Sequence, residues 1–110
     1  TVLGVGKDGH TASLFPGSDA LREATRWVVA VPRASQPPLV PRVTLTLPLL
    51  NRSQRVVFLA AGPEKSAALV RVFASGDGPN ERPPAALVHG REATLWFVDR
   101  AAAAGLGPSS

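Results

Sequence analysis

An apolar run, Val2-Leu3-Gly4-Val5, passes directly into a glycine-rich segment, Gly6-Lys7-Asp8-Gly9-His10-Thr11-Ala12-Ser13-Leu14-Phe15-Pro16-Gly17. A buried strand that ends in glycines and then delivers a carboxylate and an imidazole two residues apart is how an α/β enzyme presents chemistry. Ligands in such folds bind outside the carboxyl ends of the strands. A loop of this kind needs scaffold on both sides, and this one opens the sequence, so the chain reads as a piece of something longer.

The rest of the chain alternates strand and helix signals. Residues 1–6 read as a buried strand and residues 9–15 as a short helical turn, stopped by the breaker pair Pro16-Gly17. Ser18 is placed to cap a short helix over residues 18–23. Residues 27–31 form a β-branched run, and residues 42–46 alternate Val43 and Leu45 with Thr44 and Thr46; both are strand signals. Between them, residues 32–41 form a loop with four prolines. Residues 47–51 suit one helical turn, and 55–61 are the most apolar strand. Residues 63–75 read as a helix with Leu69, Val70 and Phe73 on one face. A Gly/Pro/Asp/Asn loop over 76–84 leads to a last strand at 94–98, a short terminal helix at 99–104 and a frayed tail at 105–110. Strands alternating with helices imply an α/β domain with a mainly parallel sheet flanked by helices. Such a sheet needs cover on both faces. One substantial helix cannot supply it, so an exposed apolar face is expected where a missing half would dock.

Composition narrows the function classes. A length of 110 residues supports one domain, and apolar residues at 45% against charged residues at 18% exclude a disordered chain. The absence of cysteine rules out a disulfide framework or thiolate metal site and fits a reducing, cytoplasmic setting. No apolar run approaches the ~20 residues that span a bilayer. The net charge of +4 comes from scattered Lys and Arg. A nucleic-acid footprint would gather them on one face, so neither a nucleic acid nor a membrane is the expected partner. No metal-ligand constellation is visible.

The segment Asp-Gly-His-Thr-Ala-Ser-Leu-Phe-Pro at residues 8–16, after Gly4-Val5-Gly6, resembles the active-site signature of the 6-phosphogluconolactonase family, which shares a wider group with the glucosamine-6-phosphate deaminases. Arg42-Val43-Thr44-Leu45-Thr46-Leu47-Pro48-Leu49-Leu50-Asn51 is similar to the family's second signature. Val56-Val57-Phe58-Leu59-Ala60-Ala61-Gly62-Pro63-Glu64-Lys65 is similar to its third. Pro83-Pro84-Ala85-Ala86-Leu87 and Leu95-Trp96-Phe97-Val98-Asp99-Arg100-Ala101-Ala102 resemble its carboxyl-terminal end. The resemblance implies a Rossmann-like α/β fold of the ribose-5-phosphate isomerase, deaminase and CoA-transferase type, here incomplete. Residues 1–104 would be the carboxyl-terminal part of one domain. Family members are about twice this length, and their amino-terminal Ser/Thr/Gly-rich phosphate loop and Asp-Glu-Arg segment have no counterpart here. The activity implied is hydrolysis of 6-phospho-D-glucono-1,5-lactone to 6-phospho-D-gluconate in the pentose phosphate pathway, without a cofactor.

His10 is the candidate general base. An imidazole titrates near neutral pH and can take a proton from water, and the resemblance assigns the signature histidine that role. Asp8 is placed to orient or stabilise His10, or to cap the turn. Gly6 and Gly9 are candidate substrate-binding residues, in a loop whose backbone N–H groups would steady the developing oxyanion. Lys65 falls in the first turn of the 63–75 helix, where a bound phosphate would offset the unfavourable helix dipole; the resemblance links this lysine to the sugar phosphate. Arg42, which opens the second signature, either contacts substrate or holds its loop. Arg33 is a further candidate, although its loop departs from the family pattern: Gln36, not lysine, precedes Pro37-Pro38. Thr44 and Thr46 read as strand residues, Trp27 and Trp96 as core or interface, and His89 as a surface residue.

Three alternatives remain. Gly4, Gly6 and Gly9 also spell the dinucleotide fingerprint Gly-x-Gly-x-x-Gly, with Arg33 after the second strand where an NADP-binding domain would hold a 2′-phosphate. That fingerprint needs a sustained helix after the glycines, which Pro16-Gly17 forbids. In the sister deaminases a glutamate stands five residues after the signature histidine. Here that position is Phe15, which cannot transfer a proton. The third alternative is a noncatalytic truncated fragment or sugar-phosphate-binding module.

Overall fold

The computed structural model describes residues 1–74 and 82–107. Strands β1 (Val2–Leu3), β4 (Arg55–Ala60) and β5 (Ala93–Val98) form a parallel sheet in the order β1-β4-β5. Strands β2 (Val28–Val31) and β3 (Arg42–Leu45) form a separate antiparallel pair. Helices α1 (Leu47–Leu50) and α2 (Ser66–Phe73) and tight 3-10 turns at Asp19–Arg22, Pro63–Lys65 and Pro84–Leu87 complete the elements. The β4–α2–β5 stretch is a crossover between parallel neighbours, the α/β unit expected from the alternation of signals.

Register divides the sheet into two faces. Leu3, Phe58 and Trp96 align across the three strands, as do Val2, Val57 and Leu95. The first face is covered. Phe58 is fully buried and stacks on Trp96 with ring centroids 4.0 Å apart, and Phe73 of α2 meets Trp96 edge-on at 5.2 Å. On the other face Val2, Leu59, Leu95 and Phe97 are between 45% and 66% exposed. A parallel sheet is stable with both faces covered, so this is the bare apolar face anticipated from the shortage of helices.

Several local expectations are corrected. The first strand is limited to Val2–Leu3, and residues 7–17 turn without forming a helix. α2 begins at Ser66 and buries Ala68, Leu69 and Val72; Val70 and Phe73 are 41% and 50% exposed. The 3-10 turn at Pro63–Lys65 precedes α2, and the inward stripe runs through Ala68, Leu69 and Val72. Residues after Asp99 form turns in place of the expected terminal helix. The 3-10 turn at Asp19–Arg22 is capped as expected, with the Ala20 amide donating to Ser18 Oγ at 3.2 Å. Most of the 76–84 loop and residues 108–110 of the tail lie outside the described residues. Among those described, no helix is long and apolar enough to cross a membrane.

In β3 the period of two holds, but the threonines face inward. Thr44 and Thr46 are buried, while Val43 is 72% exposed. Burying a hydroxyl is tolerated when its hydrogen bonds are made. Thr44 Oγ1 accepts from the Ser13 amide at 3.0 Å and donates to the Leu45 carbonyl at 2.9 Å. Thr46 Oγ1 donates to the Arg26 carbonyl at 2.6 Å. Trp27 is half exposed with the Arg52 guanidinium 5.3 Å from its ring centre.

Candidate active site

Because β1, β4 and β5 are parallel, their carboxyl ends share one edge of the sheet. The glycine-rich segment leaves β1 there, the Gly62-Pro63-Glu64-Lys65 turn leaves β4 there, and Asp99 follows β5 there. The segment closes into a compact turn. The Gly6 amide donates to the His10 carbonyl at 2.8 Å and the Gly9 amide to the Gly6 carbonyl at 2.9 Å. Both amides are thereby used within the loop. Gly9 has φ +85°, and a side chain there would meet Pro83 at 2.4 Å, so glycine is required twice over. Thr11, 1% exposed, donates its hydroxyl to the Gly4 carbonyl at 2.8 Å and ties the loop back to β1. Ala12 lies in the left-handed region at φ 51°, a strained backbone conformation for a residue with a Cβ.

This turn brings Asp8 and His10 together. His10 Nδ1 lies 2.5 Å from Asp8 Oδ1, and the His10 amide donates to the same oxygen at 3.1 Å. Both side chains are about four-fifths buried. Partial burial is the largest single influence on Asp8 and pushes its carboxyl up. The hydrogen bonds from the His10 ring and amide, with the His10 charge, together outweigh it and hold the carboxyl below its usual 3.8. Asp8 is therefore ionised at neutral pH and can only accept. Nδ1 is accordingly the donor of this pair, and in the neutral ring the lone pair is then on Nε2.

An open cleft of about 430 Å³ runs past these groups, lined by Val5, Gly6, His10, Thr11, Ala12 and Lys65 among others. The Lys65 ammonium reaches the cleft by donating to the Val5 carbonyl at 2.6 Å. Its turn is fixed from β5, since the Gly62 amide donates to both Asp99 carboxylate oxygens at 3.2 Å and the Ala102 amide to Oδ1 at 2.8 Å. Phe15, 1% exposed, packs against His10 with ring centroids 4.8 Å apart. The Arg42 guanidinium sits 5.4 Å from the Phe15 ring centre and donates to the Gln36 and Pro38 carbonyls at 3.1 and 2.7 Å. Arg42 thus holds the proline-rich loop. Arg33 lines a different cleft, of about 390 Å³, with Phe15, Asp19 and Ser35. His89 is exposed.

The structure therefore joins His10, Gly6 and Lys65 at one cleft, pairs Asp8 with His10, sets Arg42 against Phe15, and places Arg33 on a second cleft that Phe15 also lines. Two contributors escaped the sequence reading. Thr11 was visible only as a polar residue inside the signature. Asp99 carried a fainter signal, an aspartate ending a strand before a run of small residues, which is a capping pattern. Among the described residues no group of three His, Cys, Asp or Glu side chains is arranged to hold a metal ion.

The family model described as glucosamine-6-phosphate isomerases/6-phosphogluconolactonase matches residues 1–96. The 6-phosphogluconolactonase of Mycobacterium tuberculosis is 48% identical over 105 residues, covering 96% of this chain and 41% of that protein. Among solved structures, the 6-phosphogluconolactonase of Thermotoga maritima superposes with a TM-score of 0.73 at 41% identity, covering 88% of this chain and 41% of that one. The enzyme of Leishmania guyanensis gives 0.81 at 31% identity, covering 99% and 41%. The chain thus spans about 41% of the length of these relatives.

Proposed function

The chain belongs to the glucosamine-6-phosphate isomerase/6-phosphogluconolactonase family, and on that premise we propose that it carries the water-activating part of a site that hydrolyses 6-phospho-D-glucono-1,5-lactone to 6-phospho-D-gluconate. The observation that carries this reading is the 2.5 Å pairing of Asp8 with His10 Nδ1, which leaves Nε2 as a base in the cleft. Water attacks the lactone carbonyl carbon as Nε2 takes its proton. The tetrahedral intermediate then collapses, the bond from the carbonyl carbon to the ring oxygen breaks, and the proton held on Nε2 passes to that departing oxygen. Asp8 stays ionised and stabilises the imidazolium in between. Lys65 provides the cation for the phosphate, and Arg42 supports the wall formed by Phe15. No metal or cofactor enters this scheme.

The neutral ring of Phe15 argues against proton transfer of the sister deaminase kind at that position. The bare face around Leu59 and Phe97 suits burial against the region that longer family members carry and this chain does not span. A cytoplasmic setting goes with a phosphorylated intermediate of this pathway.

That same face and the 41% span of the relatives favour a second reading, a sugar-phosphate-binding module without turnover. Lactone hydrolysis followed for the wild type and His10→Ala, together with titration of 6-phosphogluconate, separates the two. The expected result is a fall of at least ~10²-fold in His10→Ala, a usual general-base contribution. Equal rates overturn the assignment. Binding of 6-phosphogluconate with no turnover by the wild type selects the module.

A further inference from the structure

Gly6 is a glycine for a reason its backbone does not supply. Unlike Gly9, Gly17 and Gly62, it does not occupy the left-handed region, so any residue could adopt its conformation. What excludes a side chain is the His10 ring. A Cβ at position 6 would lie 2.1 Å from His10 Cε1, 2.2 Å from Nδ1 and 2.9 Å from Asp8 Oδ1. The overlap falls on the imidazole and on the oxygen that holds it, so a side chain at position 6 fits only if the ring leaves its place beside Asp8. The same ring meets the buried Phe15 at 4.8 Å.

We propose that Gly6 and Phe15 are positioning residues that lock the His10 imidazole in the one orientation that pairs Nδ1 with Asp8 and turns Nε2 to the cleft. Gly6 lets the ring settle against the backbone at the end of β1, and Phe15 blocks its escape. The hydrogen bond to Asp8 fixes the tautomer only while the ring stays there. With the ring displaced, no other hydrogen bond among the described residues selects Nδ1 over Nε2. The catalytic consequence rests on the reading of His10 as the base, but the lock itself does not. The role is also distinct from contacting a phosphate through the Gly6 amide, since that amide already donates to the His10 carbonyl.

Nitrogen NMR of the imidazole rings tests this directly. The chain has two histidines, and the exposed His89 serves as an internal reference. At about pH 8.5, above the ordinary imidazole range near 6.5, wild-type His10 is expected as a single tautomer protonated on Nδ1, while His89 shows the averaged pattern of a free ring. Gly6→Ala is expected to bring His10 to the averaged pattern with the backbone amide spectrum otherwise retained. Phe15→Leu, which keeps an apolar side chain in the core, is expected to move His10 part of the way.

An averaged His10 in the wild type overturns the proposal, as does an unchanged His10 pattern in folded Gly6→Ala. If Gly6→Ala does not fold, Phe15→Leu decides by the same criterion. Lactone hydrolysis by wild type and His10→Ala keeps the two ideas apart. A locked ring with no loss of rate in His10→Ala sinks the hydrolytic reading alone. A rate that depends on His10, with a tautomer indifferent to position 6, sinks the lock alone.

Discussion

The Lys65 ammonium donates to the Val5 carbonyl at 2.6 Å, joining two residues 60 apart in the sequence at the carboxyl ends of neighbouring parallel strands. The contact follows from topology. β1 and β4 run side by side, so the turns that leave them emerge together. An ammonium has three donors, and one is used here, which leaves two for an anion in the cleft. Lys65→Met is expected to weaken 6-phosphogluconate binding by ~10- to 100-fold, the range for losing a hydrogen bond to a charged group. Calorimetric titration measures it, and an affinity equal to wild type would remove Lys65 from the phosphate site.

Asp8 should leave a signature in acid. Its carboxyl in the folded chain lies below the usual 3.8, so the unfolded chain takes up the proton first as pH falls. The stability that the pairing contributes is complete above the unfolded value and is lost as pH drops through the folded one. Urea unfolding at a series of pH values should show wild type more stable than Asp8→Asn by a constant margin near neutrality. That margin should shrink below about pH 4. A margin independent of pH down to the acid limit would mean that the ionised pair contributes nothing.

Ala12 holds a left-handed conformation beside the cleft. A non-glycine residue there costs ~1–2 kcal/mol, partly offset by the entropy that glycine loses on folding. Ala12→Gly is therefore expected to raise stability by up to ~1 kcal/mol, read as a higher urea midpoint at unchanged slope. A lower midpoint would show that the Ala12 methyl packs more favourably than its backbone is strained.

Thr46 is buried, and its hydroxyl donates to the Arg26 carbonyl at 2.6 Å. Thr46→Val takes that donor from the carbonyl and should cost ~1–3 kcal/mol. Val43→Thr, on the exposed side of the adjoining strand β3, should change stability by less than ~0.5 kcal/mol. Similar losses at both positions would contradict the inward orientation of the threonines.

The candidate site was legible to different depths. His10, Asp8 and Lys65 could be picked out because reactive side chains in a glycine-rich turn, or just after a Gly-Pro strand exit, carry their chemistry in their identity and spacing. Arg33 and Arg42 could not be ranked that way. A guanidinium in a proline-rich region is equally suited to substrate or backbone, and the fold spends Arg42 on the Gln36 and Pro38 carbonyls while placing Arg33 on another cleft. Gly6 reads in the sequence as a substrate-binding glycine of the loop, and its contact with the His10 ring exists only once the turn has closed.

By itself the sequence determined the order and type of most elements, the strand-then-turn delivery of Asp8 and His10, and the lack of helices to cover both faces of the sheet. These are local matters, set by periodicity, turn residues and caps. Only the tertiary structure decided which side of each element faces inward. Val43 and Thr44 alternate equally well either way, and the core holds the threonine, whose hydroxyl is satisfied by Ser13 and Leu45. α2 likewise turned Leu69 and Val72 inward and left Val70 out. The meeting of Lys65 with Val5, and of Asp99 with Gly62, required parallel strands to bring distant turns to one edge. Burial and hydrogen-bond satisfaction are properties of the packed whole, and no window of sequence contains them.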